Sequence, residues 1–211
     1  MNKIRFKTEI WSGDNALNEL ETINQQHIFI VTDPFMVESG KIESITAKLT
    51  DQNEFKIFSD IVPDPPINKI ISGMTALNEF NATVVIAVGG GSAIDAAKAM
   101  KFFAQRVFKK QETITFIAVP TTSGTGSEVT NFSVLTDAEA GVKYPLVTDD
   151  ILPQVALLDA NLVKTAPQNI TADTGMDVLT HCLEAYVSIN ATDFSDAFAE
   201  KAFQFGPLSI K

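Results

Sequence analysis

Cysteine and histidine are scarce in this sequence of 211 residues, which contains one cysteine and two histidines. Cys182 can form no disulfide within the chain, as is usual for proteins of a reducing cytoplasm. With only His27 and His181 present, few imidazoles are available to bind a metal ion. No apolar run is long enough to cross a bilayer, and the opening MNKIRFKTEIWSG has no apolar stretch of secretory length. We therefore expect a cytoplasmic protein with no membrane partner.

Positively charged residues are also scarce. The chain has 16 lysines and arginines against 26 aspartates and glutamates, which gives a formal net charge of −10. A chain this acidic repels phosphate backbones, so we expect no nucleic-acid partner. Hydrophobic residues make up 45% of the chain, which is typical of a globular protein with a sizeable core. The length allows one large domain, or one full domain and part of another.

Predicted strands alternate with helices as far as about residue 158. Apolar, β-branched runs such as HIFIVT at 27–32 are typical of strands covered on both faces. This alternation predicts an α/β fold with a mostly parallel sheet. Further strands are predicted within IRFKTEIW and at 84–88, 115–120, about 130–136, 143–148 and 155–158. A helix after VPDPP is predicted to pack through the apolar stripe Ile67, Ile70, Ile71, Met74 and Leu77.

Strand signals stop near Asp159, and the following residues predict a helix, a break and a second helix. We therefore divide the chain into an α/β domain at residues 1–158 and the start of an all-helical domain at residues 159–211. The helical part is too short to bury a core of its own, so exposed apolar surface is expected there. In the final KAFQFGPLSIK, Gly206-Pro207 interrupts a helical pattern, which indicates a truncation or a shifted frame, or an ordinary chain end.

The glycine run in VVIAVGGGSAID follows a predicted strand and opens a predicted helix. Backbone N–H groups at a helix N-terminus bind phosphate, and glycine lets the backbone approach a pyrophosphate closely. Ser92 can cap the helix or donate to a phosphate oxygen, while Asp95, in the first turn, favours the helix dipole and is mainly structural. The run lacks the G-x-G-x-x-G spacing, so a plain turn between strand and helix is the alternative.

Two further stretches follow predicted strands. Asp33 can bind both hydroxyls of an adenosine ribose and repel a 2′-phosphate, which favours NAD over NADP. It precedes the glycines, whereas the usual acid follows them, so spacing alone favours a turn residue before Pro34. The loop in PTTSGTGSE carries hydroxyls and glycines that can wrap a polar ligand at the carboxyl edge of the sheet; a solvated loop is the alternative.

Asp177 and His181 lie four residues apart in TGMDVLTHCLEAYVS, so both face one side of a predicted helix. A carboxylate and an imidazole suit a divalent transition metal such as Fe²⁺ or Zn²⁺. Glu184 lies on the same side and can support the ligands. The alternatives are an Asp–His hydrogen bond within the helix or a solvated face. We interpret Cys182 as core and His27 as structural.

In combination, AVGGGSAIDAAKA, PTTSGTGSEVT, KYPL and TGMDVLTHCLEAYVS, in this order, resemble the iron-containing (group III) alcohol dehydrogenase family. The resemblance extends to about Phe203. GMDVLTHCLEAYVS and DFSDAFAEKA are most similar to the propanol and ethanol dehydrogenases of bacterial microcompartments. The resemblance to the family implies a Rossmann-like nucleotide-binding domain followed by an all-helical domain, with the active site in the cleft between them.

The resemblance also implies roles for individual residues. Asp33 matches the acid beside the adenine ribose, contrary to the interpretation from spacing. Asp177 and His181 match the first two of four metal ligands, and the family's other two, both histidines, lie further along than this chain extends. The cofactor-binding positions are matched by Gly90, Gly91 and Ser92 at the pyrophosphate, by Thr121, Thr122 and Thr125 over the phosphates and nicotinamide, and by Lys143 in VKYPL.

The resemblance implies an NAD-dependent alcohol dehydrogenase that uses Fe²⁺ or Zn²⁺ to interconvert a short-chain primary alcohol and its aldehyde, with no catalytic residue separate from the metal site. We expect this chain by itself to be inactive. The alternatives are a polyol dehydrogenase or a cyclising lyase of the same architecture, or a non-catalytic NAD-binding remnant. The expected partners are the small substrate, a second copy paired through IRFKTEIW, and a bacterial microcompartment.

Overall fold

The computed structural model describes residues 6–109, 113–138 and 140–209. Eight strands are present among them: β1 Glu9–Ser12, β2 His27–Thr32, β3 Glu54–Phe58, β4 Val84–Gly89, β5 Thr115–Pro120, β6 Phe132–Asp137, β7 Val142–Val147 and β8 Val155–Leu158. The helices are α1 Pro34–Glu38, α2 Glu43–Thr46, α3 Ile67–Glu79, α4 Gly91–Val107, α5 Ala160–Val163, α6 Gln168–Tyr186 and α7 Asp193–Ser209. Short 3₁₀ helices lie at Ala16–Thr22, Ser127–Val129 and Asp149–Ile151. None of the helices in these ranges is long and apolar enough to cross a membrane.

Six strands form one sheet in the order β1-β8-β5-β4-β2-β3, and every neighbouring pair is parallel. All six residues of β4 are buried, as its continuous apolar run predicts. The α/β prediction is therefore confirmed. The strands predicted near 130–136 and 143–148 do not join this sheet, because β6 and β7 pair with each other as an antiparallel hairpin. In the N-terminal stretch, the strand covers Glu9–Ser12, and residues 1–5 lie outside the described residues.

Helix α3 packs on α4 through Ile70, Gly73 and Leu77. A Cβ on Gly73 would lie 2.3 Å from Met100 Cε, so glycine permits the close approach. This contact is centred on Gly73, and Ile71 of the predicted stripe is consequently 51% exposed. The stripe prediction was right for the buried Ile70 and Leu77 and in part for the half-buried Met74, and wrong for Ile67 and Ile71, which are exposed.

The chain divides into two compact units. The first comprises Met1–Pro120 and Ser127–Ala160, and contains the sheet. The second comprises Thr121–Gly126 and Asn161–Lys211. The boundary at Ala160 lies just beyond the predicted one, but the loop 121–126 groups with the helices although the sequence assigned it to the α/β domain. Its packing on α6, described below, is the reason.

The second unit leaves much apolar surface exposed, as its short length predicts. Helices α6 and α7 pack on each other, yet Leu183 is 57% and Phe198 63% exposed. A groove of about 330 Å³ between them is lined mainly by Cys182, Leu183, Tyr186, Ala199 and Phe203. Helix α7 continues to Ser209, so the expected interruption at Gly206-Pro207 does not end it.

Candidate functional site

The first group of candidate residues lies where the direction of strand addition reverses. From β2 the chain adds β3 on one side, and then β4 on the other. Parallel α/β sheets bind ligands at the carboxyl ends of the strands that flank such a point. Thr32, the last residue of β2, is in register with Val88 of β4. Asp33 and Gly89, which follow them, therefore stand side by side at this edge.

Asp33 caps helix α1, since its Oδ1 accepts a hydrogen bond of 3.1 Å from the N–H of Met36. The interpretation of Asp33 as a turn residue before Pro34 is thus correct as far as one oxygen is concerned. The other oxygen faces Gly89, because a Cβ built on Gly89 would lie 3.4 Å from Oδ2 of Asp33. The same Cβ would lie 2.7 Å from Cβ of Ala93, and Gly89 has φ +151°. Only glycine leaves this space open.

Helix α4 begins at Gly91, with Gly90 at its N-cap and no side chain bonded to the cap. The N–H groups of Ala93 and Ile94 both reach back to the Gly90 carbonyl, at 3.1 and 3.2 Å. No capping side chain competes for the N–H groups of Gly91 and Ser92, so an anion can accept from them at the positive end of the helix. Ser92 lies inside the helix, so of its two predicted roles the cap is not realised, and donation to a phosphate oxygen stays a prediction.

The sheet edge formed by Asp33, Gly89 and the start of α4 has the features that a bound dinucleotide requires. It combines a space that a single Cβ would fill, an uncapped helix N-terminus and a carboxylate oxygen of Asp33 facing that space. A pyrophosphate suits the first two, and a ribose diol suits the third.

Asp95 lies beyond the first turn of α4, so its predicted place beside the helix dipole was wrong. It is structural, as expected, but through tertiary contacts: its carboxylate accepts from the Ser127 hydroxyl and from the N–H of Val134. Lys98 lies within the motif AVGGGSAIDAAKA but received no predicted role, and the structure buries it completely beside Asp95. The available signal is an Asp–Lys pair three residues apart within an alanine-rich, buried helix.

In the second unit, the loop Thr121–Gly126 packs against α6. A Cβ on Gly124 would lie 2.9 Å from Cβ of Thr174 and 3.3 Å from Oδ2 of Asp177. The loop therefore touches the helix at a predicted metal ligand. Thr121 and Thr122 are half-buried here and Thr125 is exposed. Their assignment to the cofactor stays a prediction.

Asp177 and His181 share one face of α6, with 3.8 Å between Oδ1 and Nε2. That distance is too long for a hydrogen bond, so the alternative of a direct Asp–His bond is not realised. Both side chains remain partly exposed, at 39% and 52%, and both present heteroatoms that divalent transition metals accept. The pair fits a metal ion as part of a ligand set. Among the described residues no group of three potential ligands comes together, so two ligands alone would bind weakly.

The remaining residues named from the sequence are Lys143, His27, Cys182 and Glu184. Lys143 lies on β7 and forms a 2.6 Å ion pair with Asp64, and both are exposed. His27 contacts Phe80 through its Nδ1, 3.2 Å from the carbonyl, and through its ring. Cys182 is buried, as expected of a core residue, and Glu184 is exposed. Whether Lys143 approaches a cofactor stays a prediction.

Residues 7–160 match the family described as iron-containing alcohol dehydrogenase, and residues 171–205 match its C-terminal part. The chain belongs to the iron-containing alcohol dehydrogenase family. The assignment from the motifs is thereby confirmed. Within the family, the chain is 46% identical over its whole length to 1-propanol dehydrogenase PduQ from Citrobacter freundii, and 44% identical to that from Salmonella typhimurium. It spans 57% and 58% of the length of these two relatives.

Solved structures agree with this membership. The sulfoacetaldehyde reductase from Bifidobacterium kashiwanohense, solved in complex with NAD⁺, superposes with a TM-score of 0.88 at 29% identity. That match covers all of this chain and 61% of the reductase. The fold described above is therefore that of the nucleotide-binding region of iron-containing alcohol dehydrogenases, followed by part of their helical region.

Proposed function

We propose that this protein acts as an NAD-dependent, metal-dependent alcohol dehydrogenase that interconverts a short-chain primary alcohol and its aldehyde. The observation that carries the proposal is that one chain contains residues suited to bind a dinucleotide and residues suited to bind part of a metal ion's ligand shell. The former lie at the bare edge between Asp33 and the start of α4, and the latter are Asp177 and His181. The similarity to 1-propanol dehydrogenases supports the substrate class.

At the dinucleotide site, the uncapped N–H groups of Gly91 and Ser92 bind the pyrophosphate. The free oxygen of Asp33 accepts from a ribose hydroxyl, and its charge disfavours a 2′-phosphate, so NAD is preferred to NADP. Because Gly89 has no Cβ, the space beside Asp33 stays open for the cofactor. When bound, NAD exchanges hydride with the carbinol carbon of the substrate, while the protein supplies position and charge.

At the metal site, the Asp177 carboxylate and His181 imidazole would hold a divalent ion, Fe²⁺ or Zn²⁺. When bound, that ion supplies Lewis acidity toward the substrate oxygen, which lowers the pKa of the alcohol and reduces the need for a separate base. The loop at Gly124 packs against Asp177 and holds its carboxylate in place.

A second candidate function is NAD binding without catalysis. It is favoured by the absence, within the described residues, of any group of three metal ligands. A polyol dehydrogenase or a cyclising lyase receives less support, because the relatives reported above act on 1-propanol by name. Dimer formation and association with a bacterial microcompartment stay predictions.

Turnover of 1-propanol with NAD, in the presence of Fe²⁺ or Zn²⁺, separates the two functions. Metal-dependent NADH production that His181→Ala abolishes supports the dehydrogenase. Asn131→Ala, a change at a surface hydrogen bond to Asp149 in the first unit, serves as the matched control and should retain the activity. Saturable NADH binding with no turnover under either metal would agree with the expected inactivity of the 211-residue chain by itself and would support the non-catalytic function for it.

A further inference from the structure

A polar cleft of about 430 Å³ lies in the first unit, beside the C-terminal half of α4. Its main lining residues are Lys101, Phe102 and Arg106 of the helix, and Asp149, Asp150 and Gln154 of the segment that leads into β8. Lys101 is ten residues beyond Gly91, which corresponds to about 15 Å along the helix axis. The cleft is therefore separate from the proposed nucleotide site.

The ammonium of Lys101 is buried in the wall of this cleft. The residue is 3% exposed, and its Nζ donates a hydrogen bond of 3.2 Å to the backbone carbonyl of Asp150. Among the residues that the structure describes, this carbonyl is the only hydrogen-bond acceptor of Nζ. An ammonium has three protons to donate, and a buried charge is costly unless its bonds are made. Lys101 therefore has capacity for a further acceptor, and the cleft offers the space for one.

The two carboxylates at the cleft already have partners of their own. Asp149 accepts from the ammonium of Lys7 and, at 2.9 Å, from the side-chain amide of Asn131. Oδ2 of Asp150 accepts from the guanidinium of Arg106 at 2.8 Å. The acids are thus engaged in bonds that leave the ammonium of Lys101 with a single backbone acceptor.

Two further side chains add donors to the cleft. The guanidinium of Arg106 lies over the ring of Phe102, with 4.2 Å between Cζ and the ring centroid. An arginine has five N–H donors, and the bond to Asp150 uses one of them. Oε1 of Gln154 accepts from the N–H of Phe116 at 2.7 Å, while its Nε2 has no acceptor within residues 6–109, 113–138 and 140–209. The unused bonding capacity of the cleft is consequently that of donors.

The charge balance favours an anion in this cleft. The lining side chains and their ion-pair partners carry three positive and two negative charges, those of Lys7, Lys101 and Arg106 against those of Asp149 and Asp150. The C-terminal end of α4 opposes an anion, but a helix end carries only about half a charge, less than the full charge of Lys101. A metal ion or an amine would be repelled by that buried ammonium and would find both carboxylates engaged.

We propose that this cleft binds a small oxyanion, a carboxylate or a phosphate group, with Lys101, Arg106 and Gln154 as its donors. Lys101 supplies the buried charge, Arg106 can donate two parallel bonds, and Gln154 adds a neutral donor. The volume lies within the range of small-molecule sites, so an organic molecule that carries such a group fits as well as the free ion. The site does not depend on the proposed binding of NAD.

Thermal unfolding of the 211-residue chain tests the proposal with inorganic phosphate in one series and malonate in another. Sodium chloride keeps the ionic strength equal in all samples, which removes general screening effects. We expect a saturable rise of a few degrees in the transition temperature, with a dissociation constant of about 1 mM. The anion that saturates at the lower concentration identifies the preferred group. No saturable rise with either anion would overturn the proposal.

Variants locate the anion in the cleft. Lys101→Met and Arg106→Gln should each raise the dissociation constant by about tenfold or more, because each removes a charged donor. Lys48→Met is the matched control, since it removes a lysine that pairs with Glu21 elsewhere on the surface, and it should bind as the wild type does. Arg106 is exposed, so its variant keeps the test decisive if Lys101→Met does not fold. Unchanged affinity in a folded Lys101→Met or Arg106→Gln variant would place the anion elsewhere and overturn the proposal.

Discussion

Gly124 approaches helix α6 so closely that a Cβ at this position would lie 3.3 Å from Oδ2 of Asp177 and 2.9 Å from Cβ of Thr174. The nearer of these atoms belongs to a branched side chain whose Cβ cannot move without the helix. The absence of a side chain at residue 124 therefore determines how near the loop comes to a predicted metal ligand.

Gly124→Ala should lower the affinity for Fe²⁺ or Zn²⁺, because the loop or α6 must shift and the Asp177 carboxylate shifts with it. We expect an unfolding free energy lower by about 1–3 kcal/mol, as for other overpacked positions, and metal binding weaker by about tenfold. Titration with Zn²⁺ measures this. Ser123→Ala, at the exposed neighbouring residue, should bind metal as the wild type does. Equal affinities of the two variants would show that the contact does not position Asp177.

Asp33→Ser should abolish the preference for NADH over NADPH. Serine retains the ability to cap α1, so the helix keeps its bond from Met36, while the carboxylate charge is lost. Loss of a charged hydrogen bond of about 1.5–3 kcal/mol corresponds to NADH binding weaker by roughly 10- to 100-fold. NADPH binding should stay level or improve, because the repulsion of its 2′-phosphate is gone.

Fluorescence titration with both nucleotides measures this preference. Asp51→Ser, at an exposed turn, is the control and should retain it. If Asp33→Ser discriminates as well as the wild type, the carboxylate serves only as a cap.

Gly89→Ala should damage both stability and NADH binding. The new Cβ would meet Cβ of Ala93 at 2.7 Å, at a backbone φ of +151°. Gly13→Ala is a close control, because Gly13 has φ +120° and no atom within 4 Å of the added Cβ. The control therefore carries backbone strain without the clash. We expect Gly89→Ala to lower the unfolding free energy by about 1–3 kcal/mol more than Gly13→Ala, as measured in urea. Similar values for the two variants would mean that the space beside Asp33 tolerates a side chain.

The pH dependence of stability tests the burial of Lys98. Its pKa falls on folding from 10.5 to about 8, so between these values the unfolded chain holds a proton that the folded chain has lost. The free energy of unfolding contributed by this group therefore rises with pH across that window. Lys98→Met should remove the rise, and Lys101, whose pKa burial also lowers, is present in both proteins and cancels. Urea midpoints between about pH 8 and 10.5 measure the difference, and identical slopes would contradict the burial of a titrating Lys98.

Local sequence patterns predict most strands of the six-stranded sheet. The apolar run TFIAVP predicts β5 at 115–120, because continuous burial on both faces leaves a plain signature. The pairing of β6 with β7 could not be predicted in the same way. Its residues are half-exposed and their pattern does not say which strand lies alongside.

The residues of the candidate site likewise differ in how far the sequence predicts them. Gly90 and His181 are visible in the sequence because they lie in the quoted motifs, and Asp33 because it follows a predicted strand, although the cap that Asp33 forms is a matter of local geometry. Lys98 and Gly124 lie within the quoted motifs, but their contacts are not visible in the sequence, since each contact involves residues 30 or more positions away that only the fold brings near. The pair Asp95 and Lys98 is an exception to the rule that charges stay exposed, and local sequence patterns do not predict such exceptions.

The most direct test of the account is NADH binding by the purified 211-residue chain without added metal. The dinucleotide contacts proposed at Asp33, Gly91 and Ser92 involve neither metal ligand, so saturable binding that Asp177→Asn leaves unchanged is the predicted result. A folded chain, shown by a cooperative thermal transition, that binds no NADH at millimolar concentration would contradict the account.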